Sequence, residues 1–443
     1  MRPVLPRPRR TPTALLAAVA VTATLAGCGG DDDTGSPFKT PKGESKAAAS
    51  LGIPVVATRN TTRTATGDPV DAAAAVARAA FPGGSDASRA KAVAIVDKGD
   101  WRVALAASAL VAPPVSAPLL FSDGTSLPDP TEEAVEALDP SGGTGGEGAQ
   151  ALRIGDVGRP SGLRTENVAG EGPYELARAI DRYTTQARGR TADRVLVVSA
   201  DRPEFAIPAA AWLAKSGDPV AFVTSKGIPA ATARQLAAHP KATLYVLGPS
   251  AVVRPAVTKQ LRRYGTVKRM GGVDPVQNAV GFARYKDGAF GWNVNRPGHG
   301  FTLARSTDTL GAITLAPLAA SGLHGPLLLT DSANALPEAV AGYLLDVKPG
   351  YYPDDPALDA TQAGGYNRAW ITGDVSAIDE GQQAQLDALL EIAPVDTSPN
   401  AGETADSATR SDRESRGGPG PTTTGQAGAA TPGTTTAAPT PRP

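Results

Sequence analysis

Few side chains in this sequence could carry out chemistry. The 443 residues include one cysteine and three histidines, so we expect no internal disulfide, thiolate metal cluster or histidine-rich metal site. His239, His299 and His324 fall at a helix end, in a glycine-rich loop and in a turn, which argues against a shared role. Walker A, Gly-x-Ser-x-Gly and His-Glu-x-x-His motifs are absent. We therefore expect neither an enzyme nor a bound cofactor or metal.

Two other patterns could suggest a site. Gly143–Gly148 fits the string G-x-G-x-x-G, but it follows a predicted helix and precedes a predicted strand. A dinucleotide-binding fold needs the reverse order, so we interpret this string as a loop. Asp156 and Asp374 each follow a glycine that closes a predicted strand. Such a carboxylate either faces a ligand beyond the strand ends or caps the next helix, and neither residue has a recognisable base or metal partner.

The cysteine lies at the end of an N-terminal targeting segment. Basic residues precede the apolar run Thr13–Leu25, which is too short to span a bilayer and is typical of a signal peptide. Leu25-Ala26-Gly27-Cys28 resembles a bacterial lipobox. This resemblance implies that Cys28 is lipidated, becomes the first mature residue and anchors the protein to the outer face of the cytoplasmic membrane. Secretion with an incidental cysteine is the alternative, and the export route stays open.

Charge and composition limit the possible partners. The formal net charge is −1, and it becomes about −5 when residues 1–27 are removed with their four arginines. This balance argues against a general nucleic-acid binder, which usually has a basic excess. Residues 28–50 are predicted to be a disordered tether. Residues 397–443, rich in Thr, Pro, Gly and Ala, are predicted to be a disordered tail, because they cannot bury enough apolar surface to fold.

The sequence between these ends repeats one pattern three times. Each copy opens with a turn and a proline that begins a helix, at Pro69, Pro173 and Pro275. Short apolar strands then alternate with alanine-rich helices, which predicts parallel β-α units with both sheet faces covered. We therefore predict an α/β fold of three tandem homologous modules, each a small parallel β-sheet flanked by helices. The predicted modules are 51–162, 163–262 and 263–396.

Each module is predicted to contain three strands. The first strand is apolar, the second begins at a proline and the third ends at a glycine. The predicted strands are 92–96, 118–121 and 151–155 in the first module, 194–198, 219–223 and 243–248 in the second, and 301–304, 326–330 and 369–373 in the third.

This repeat resembles the cell wall-binding repeat 2 family over most of residues 55–395. Arg269–Pro275 follows the family's opening motif, and Arg63 and Asp68 keep the same offset. Pro326–Thr330 matches its second strand, and Val246–Val252 resembles its closing turn. The resemblance implies Rossmann- or Toprim-like modules packed with pseudo-threefold symmetry, no enzymatic activity in the modules, and non-covalent attachment to an anionic cell-wall polymer.

The resemblance also singles out candidate binding or loop-pinning residues. These are Arg63 and Asp68 in the first copy and Arg269 and Asp274 in the third. If each Arg-Asp pair holds a loop by forming an ion pair, a copy of the repeat without the pair can still fold. If the pair instead contacts a ligand, a copy without it has lost that ligand.

The second copy lacks the opening pair, because Asn167 and Gly172 occupy its places. A polyanion would also require clustered cations. The densest basic cluster consists of Arg262, Arg263, Lys268 and Arg269.

Two functions are compatible with the sequence. The first is a lipid-anchored envelope protein that binds a cell-wall polymer through its three modules, located at the outer face of the membrane and in the wall. The alternative is a lipoprotein that captures a small extracellular solute between its α/β modules.

Overall fold

The computed structural model describes residues 56–64, 66–143, 148–351 and 366–394. Cys28, the predicted signal peptide, the predicted tether and the predicted tail lie outside the described residues, as does most of the string Gly143–Gly148. No helix in the described ranges is long and apolar enough to cross a membrane.

Fifteen strands occur in the described part of the chain. They are β1 (Val56–Ala57), β2 (Thr61–Arg63), β3 (Val93–Asp97), β4 (Leu119–Ser122), β5 (Ala151–Ile154), β6 (Thr165–Val168), β7 (Arg194–Ser199), β8 (Val220–Val223), β9 (Thr243–Leu247), β10 (Thr266–Met270), β11 (Gly300–Arg305), β12 (His324–Thr330), β13 (Gly350–Tyr351), β14 (Arg368–Ile371) and β15 (Ala393–Pro394).

Twelve α-helices occur in the same ranges. They are α1 (Pro69–Ala80), α2 (Trp101–Ala107), α3 (Asp129–Leu138), α4 (Gly172–Arg188), α5 (Pro203–Ala206), α6 (Ala209–Ser216), α7 (Ala230–Ala237), α8 (Pro255–Leu261), α9 (Pro275–Arg284), α10 (Thr309–Thr314), α11 (Glu338–Asp346) and α12 (Glu380–Leu390). Short 3-10 turns follow α2 at Ser108–Val111 and α10 at Ala316–Ala319.

Three similar sheets carry the fold, which confirms the predicted α/β class and the three modules. Sheet one has the strand order β4-β3-β5-β6, sheet two β10-β9-β7-β8 and sheet three β1-β2-β14-β11-β12. All neighbours in these sheets run parallel except β1 with β2. The central strands are fully buried, as Val93–Val96 and Val195–Val198 show, because helices cover both faces of a parallel sheet.

Each sheet takes its last parallel strand from the segment that opens the following repeat. β6 precedes the opening helix α4 but pairs with β5, and β10 precedes α9 but pairs with β9. Sheet three is completed in the same way by β2, from the beginning of the described chain, which pairs with β14 near its end. The sheets and the predicted module boundaries therefore differ by one strand, and the pairing of β2 closes the three modules into a ring.

The helices repeat this cyclic relation. The opening helices α1, α4 and α9 each lie at a junction between two modules: α4 packs against β8 and α7 of module two and also against α2 of module one. At the centre, α2, α6, α10 and the two 3-10 turns contact one another. This arrangement has the pseudo-threefold character that the family resemblance implies, and the small Ala and Gly side chains of the central helices let them approach closely.

Candidate functional site

Arg63 is buried and links the beginning of the described chain to its end through hydrogen bonds. Only 1% of the residue is exposed. Its Nη1 donates to the carbonyl oxygens of Gly373 at 3.1 Å and Asp374 at 2.9 Å, and its Nε donates to Gln383 Oε1 at 2.9 Å. Burial lowers the pKa of Arg63, while the nearby carboxylates of Asp374 and α12 oppose this effect. Its guanidinium is thus directed at the loop after β14 and not at solvent.

Arg269 makes the equivalent contacts in sheet two. Its Nη1 donates to the carbonyl of Gly248 at 2.6 Å, and its Nη2 donates to the carbonyl of Val253 at 2.8 Å and to Thr258 Oγ1 at 2.9 Å. The residue is more exposed than Arg63, and burial still lowers its pKa. Both arginines therefore hold the loop that follows the neighbouring strand.

Sheet one achieves the same result with an arginine on the adjacent strand. In the parallel register Asn167 pairs with Arg153, as Arg269 pairs with Val246 and Arg63 with Ile371. Arg153 Nε donates to the carbonyl of Val157 at 2.8 Å, and its Nη1 donates to Asn167 Oδ1 at 3.1 Å. Sheet one thus has its arginine, Arg153, on β5 and not on β6, and this arginine still holds the loop.

The pinned loops begin at glycines with positive φ, namely Gly155 (83°), Gly248 (113°) and Gly373 (92°). A side chain would be strained in this conformation, so glycine permits the sharp exit from the strand. The three loops lie at the carboxyl ends of their sheets, the edge at which parallel α/β folds usually place ligands. The arginines give these loops a fixed shape.

The candidate aspartates cap helices. Asp68 Oδ1 accepts from the backbone N–H of Val70 at 2.8 Å, at the start of α1, and Asp274 Oδ1 accepts from Gln277 at 2.8 Å, at the start of α9. Across the described ranges neither aspartate forms an ion pair with Arg63 or Arg269. The ion-pair alternative is therefore not what the structure shows: in both copies the arginine hydrogen-bonds to a loop and the aspartate separately caps a helix.

The two carboxylates after the closing glycines also have structural partners. Asp374 Oδ1 accepts from Ser376 Oγ at 2.6 Å and from the backbone N–H groups of Ser376 and Ala377, and the Ser376 contacts lower the pKa of Asp374. Asp156 is exposed and lies 3.5 Å from Arg153 Nη2. Asp374 therefore stabilises the turn after β14 and does not cap the next helix, α12, whose N-terminal cap is Asp379.

The predicted basic cluster belongs to a longer basic segment. Residues 219–273 contain nine lysines and arginines and no aspartate or glutamate. Within the cluster, Lys268 pairs with Asp287 and Arg269 is used by its loop. Arg254, Lys259, Arg262 and Arg263 are exposed on and beside α8, and no ion pair involves them in the described part of the chain. We call these four residues the basic face of module two.

The histidines serve different environments. His239 is buried against Asp181 of α4, with 2.7 Å between His239 Nε2 and Asp181 Oδ2, and its Nδ1 lies 3.2 Å from the backbone of Ala192. Burial acts to lower the pKa of His239, but the hydrogen bond and charge of Asp181 outweigh it, so the pKa is raised.

His299 and His324 lie at the starts of the paired strands β11 and β12, closer than their sequence contexts suggested. Burial lowers the pKa of His324 to about 4 and also lowers the pKa of His299. No cluster of His, Cys, Asp and Glu that could hold a metal occurs among the described residues.

Comparisons with known proteins support the fold. The chain is similar to the solved structures of two proteins from Clostridium difficile. The match to Cwp6 covers 75% of this chain, with a TM-score of 0.59 and 14% sequence identity. The match to Cwp8 also covers 75% of this chain, with a TM-score of 0.55 and 18% sequence identity. The matched part is about half of those chains, 48% of Cwp6 and 52% of Cwp8. The sequence matches no protein-family model and no curated protein.

The equivalence of Arg153 to the arginines of the other two sheets can be tested by placing an arginine at position 167 instead. Arg153→Gln removes the donors to the loop at Val157, so we expect the free energy of unfolding to fall by about 2 kcal/mol in chemical denaturation. The double variant Arg153→Val with Asn167→Arg recreates the arrangement of Arg269 and Val246 and should recover more than half of this loss. Asn167→Arg alone places two guanidinium groups together and should not stabilise. Failure of the double variant to recover stability would contradict the equivalence of the two positions.

The buried His239–Asp181 pair predicts a pH dependence of stability. Because the folded pKa of His239 lies above its ordinary value of 6.5, the pair's stabilisation is fully present below that pH and is lost as the pH rises through the folded pKa. Asp181→Asn should lower overall stability by about 3 kcal/mol and flatten the decline that begins above pH 6.5, the ordinary pKa of histidine. Asp193→Asn, an exposed matched change, should keep the decline. Equal slopes in the native protein and Asp181→Asn would refute this assignment.

Proposed function

We propose that this chain is a lipid-anchored protein of the bacterial envelope that holds an anionic cell-wall polymer non-covalently on the basic face of module two. The observation that carries the proposal is the segment 219–273, with nine cations and no acidic residue in a chain of slightly negative net charge. Phosphate and carboxylate groups are recognised by clustered Arg and Lys through charge-assisted hydrogen bonds. The polymer would therefore meet a local basic surface and not a generally basic protein.

The basic face has more exposed hydrogen-bond donors for a polymer than the Arg-Asp pairs that the sequence singled out. Arg63 is buried, and Asp68 and Asp274 accept from helix N–H groups, so these side chains are committed within the fold. Arg254, Lys259, Arg262 and Arg263 are exposed and keep their charged groups in solvent. Such contacts are screened by salt, with a Debye length of about 10 Å at 0.1 M, so binding should weaken as salt is added.

The likeness in fold to Cwp6 and Cwp8, which are cell wall proteins of Clostridium difficile, supports a place in the envelope. The resemblance of Leu25-Ala26-Gly27-Cys28 to a lipobox supports a lipid on Cys28 as a second attachment. Two attachments would tie the protein to both membrane and wall, with residues 28–50 as the tether between them.

The test is co-sedimentation of the chain from residue 28, carrying Cys28→Ser, with purified cell walls across a salt series. We expect salt-sensitive binding that disappears when the anionic polymers are extracted with acid. Arg262→Gln with Arg263→Gln should weaken binding about tenfold or more, because each lost charge-assisted hydrogen bond is worth about 1.5–3 kcal/mol.

The matched control, Arg159→Gln with Arg296→Gln, removes two exposed cations outside the basic face and should bind like the native chain. Equal weakening in the two double variants would show a nonspecific charge effect. Absence of binding to intact walls would overturn the proposal and favour capture of a small solute.

A further inference from the structure

A polar pocket of about 480 Å³ lies at the junction of modules one and two. The end of α4, the start of β7 and the turn before β8 line it from module two, and Pro113 and Pro114 line it from module one. It is located at the amino ends of β7 and β8, whereas the loop at Gly248 lies at the carboxyl ends of the strands of sheet two. Its volume is within the range of small-molecule sites, about 300–1,000 Å³.

Three arginines surround this pocket, which we call the arginine pocket: Arg188, Arg190 and Arg194. Arg188 is the last residue of α4, and its Nη2 donates to the carbonyl of Ser216 at 2.6 Å. Arg190 is largely exposed, and its Nη1 lies 3.4 Å from Oδ2 of Asp193, which is even more exposed. Arg194 begins β7, and its buried Nε has no hydrogen-bond partner among the described residues, although it lies 3.4 Å from Asp218 Oδ2.

The nearby carboxylates do not fully satisfy these arginines. Asp218 is 4% exposed at its side chain, and its Oδ2 already accepts from Trp212 Nε1 at 2.9 Å. Asp181 is committed to His239. Burial lowers the pKa of Arg188, Asp218 opposes this, and the charges of Arg190 and Arg194 lower it further. Three arginines therefore face three carboxylates in this pocket, and Asp181 and Asp218 are already engaged by His239 and Trp212. An anion in the cavity would find guanidinium donors that these carboxylates leave unsatisfied, the buried Nε of Arg194 among them.

We propose that the arginine pocket binds a phosphate group. Guanidinium donors match the oxygens of phosphate and carboxylate, but three guanidinium groups and the lining hydroxyls of Thr191 and Ser216 offer more donors than the two oxygens of a carboxylate can accept. A phosphate group has enough oxygens to face all three arginines. It belongs either to a free phosphate ester or to a phosphodiester unit of a polymer, and this site is separate from the basic face.

Isothermal titration calorimetry of the chain from residue 28 with inorganic pyrophosphate tests the proposal, at an ionic strength held constant with chloride. We expect saturable binding at one site. Arg190→Gln should raise Kd about tenfold, because it removes one charged donor from an exposed position with little effect on folding. Arg188→Gln should weaken binding similarly. Arg159→Gln, which removes an exposed cation outside the pocket, should change Kd by less than about twofold.

Titration with a poly(glycerol phosphate) oligomer distinguishes the sources of the phosphate. Binding of the oligomer that Arg190→Gln weakens supports a polymer unit in the pocket, and binding of pyrophosphate alone supports a free phosphate compound. No saturable binding of either ligand, equal Kd values for Arg190→Gln and Arg159→Gln, or equally tight binding of malonate would overturn the proposal. If the chain binds pyrophosphate but does not bind cell walls, the proposed function is wrong and the proposed phosphate site still stands.

Discussion

The parallel pairing of β2 with β14 is the contact on which the architecture depends. It joins Thr61–Arg63 to Arg368–Ile371, across almost the whole described chain. The other two sheets obtain their last parallel strand from the next repeat, whereas sheet three takes its strand from the beginning of the described chain. Without this pairing the edge of β14 would be open, and an unpaired strand edge is exposed to association with other chains.

Loop positions follow from this closure. Arg63 reaches Gly373 and Asp374 only because β2 lies beside β14, and Gln383 joins the tie by donating from Nε2 to Thr61 Oγ1 at 3.0 Å. Sheet one shows that the loop needs an arginine but does not need it on one particular strand, since Arg153 replaces the residue that Asn167 cannot provide. The repeated arginines therefore shape the carboxyl-end loops, and the groups that we propose for ligand binding lie elsewhere, on the basic face and in the arginine pocket.

The sequence predicted the fold class and the nine apolar strands, because buried parallel strands are short runs of Val, Ile, Leu and Ala bounded by proline or glycine. It did not reveal β2, β6 and β10, whose sequences TTR, TENV and TVKRM are polar and lie at or near sheet edges, where one side is less covered. Arg63 and Arg269 could be singled out, but their carbonyl partners could not, since these depend on strand order. The same applies to Asp181, which meets His239 through packing between α4 and the end of α7. The charge of residues 219–273 was readable from the sequence as an extended segment.

Hydrogen exchange of the backbone amides in β2 and β14 tests the closure most directly. The N–H of Thr64 donates to the carbonyl of Ile371 at 3.0 Å, and the N–H of Ala369 donates to the carbonyl of Asn60 at 2.8 Å. We expect both segments to be protected in the native protein, and we expect Thr64→Pro, which removes the first donor, to speed exchange in β14. Thr64→Val keeps the N–H and replaces a buried hydroxyl that has no partner, so it should preserve protection. Rapid exchange of Thr64 and Ala369 in the native protein, or unchanged β14 protection in Thr64→Pro, would contradict the closed ring.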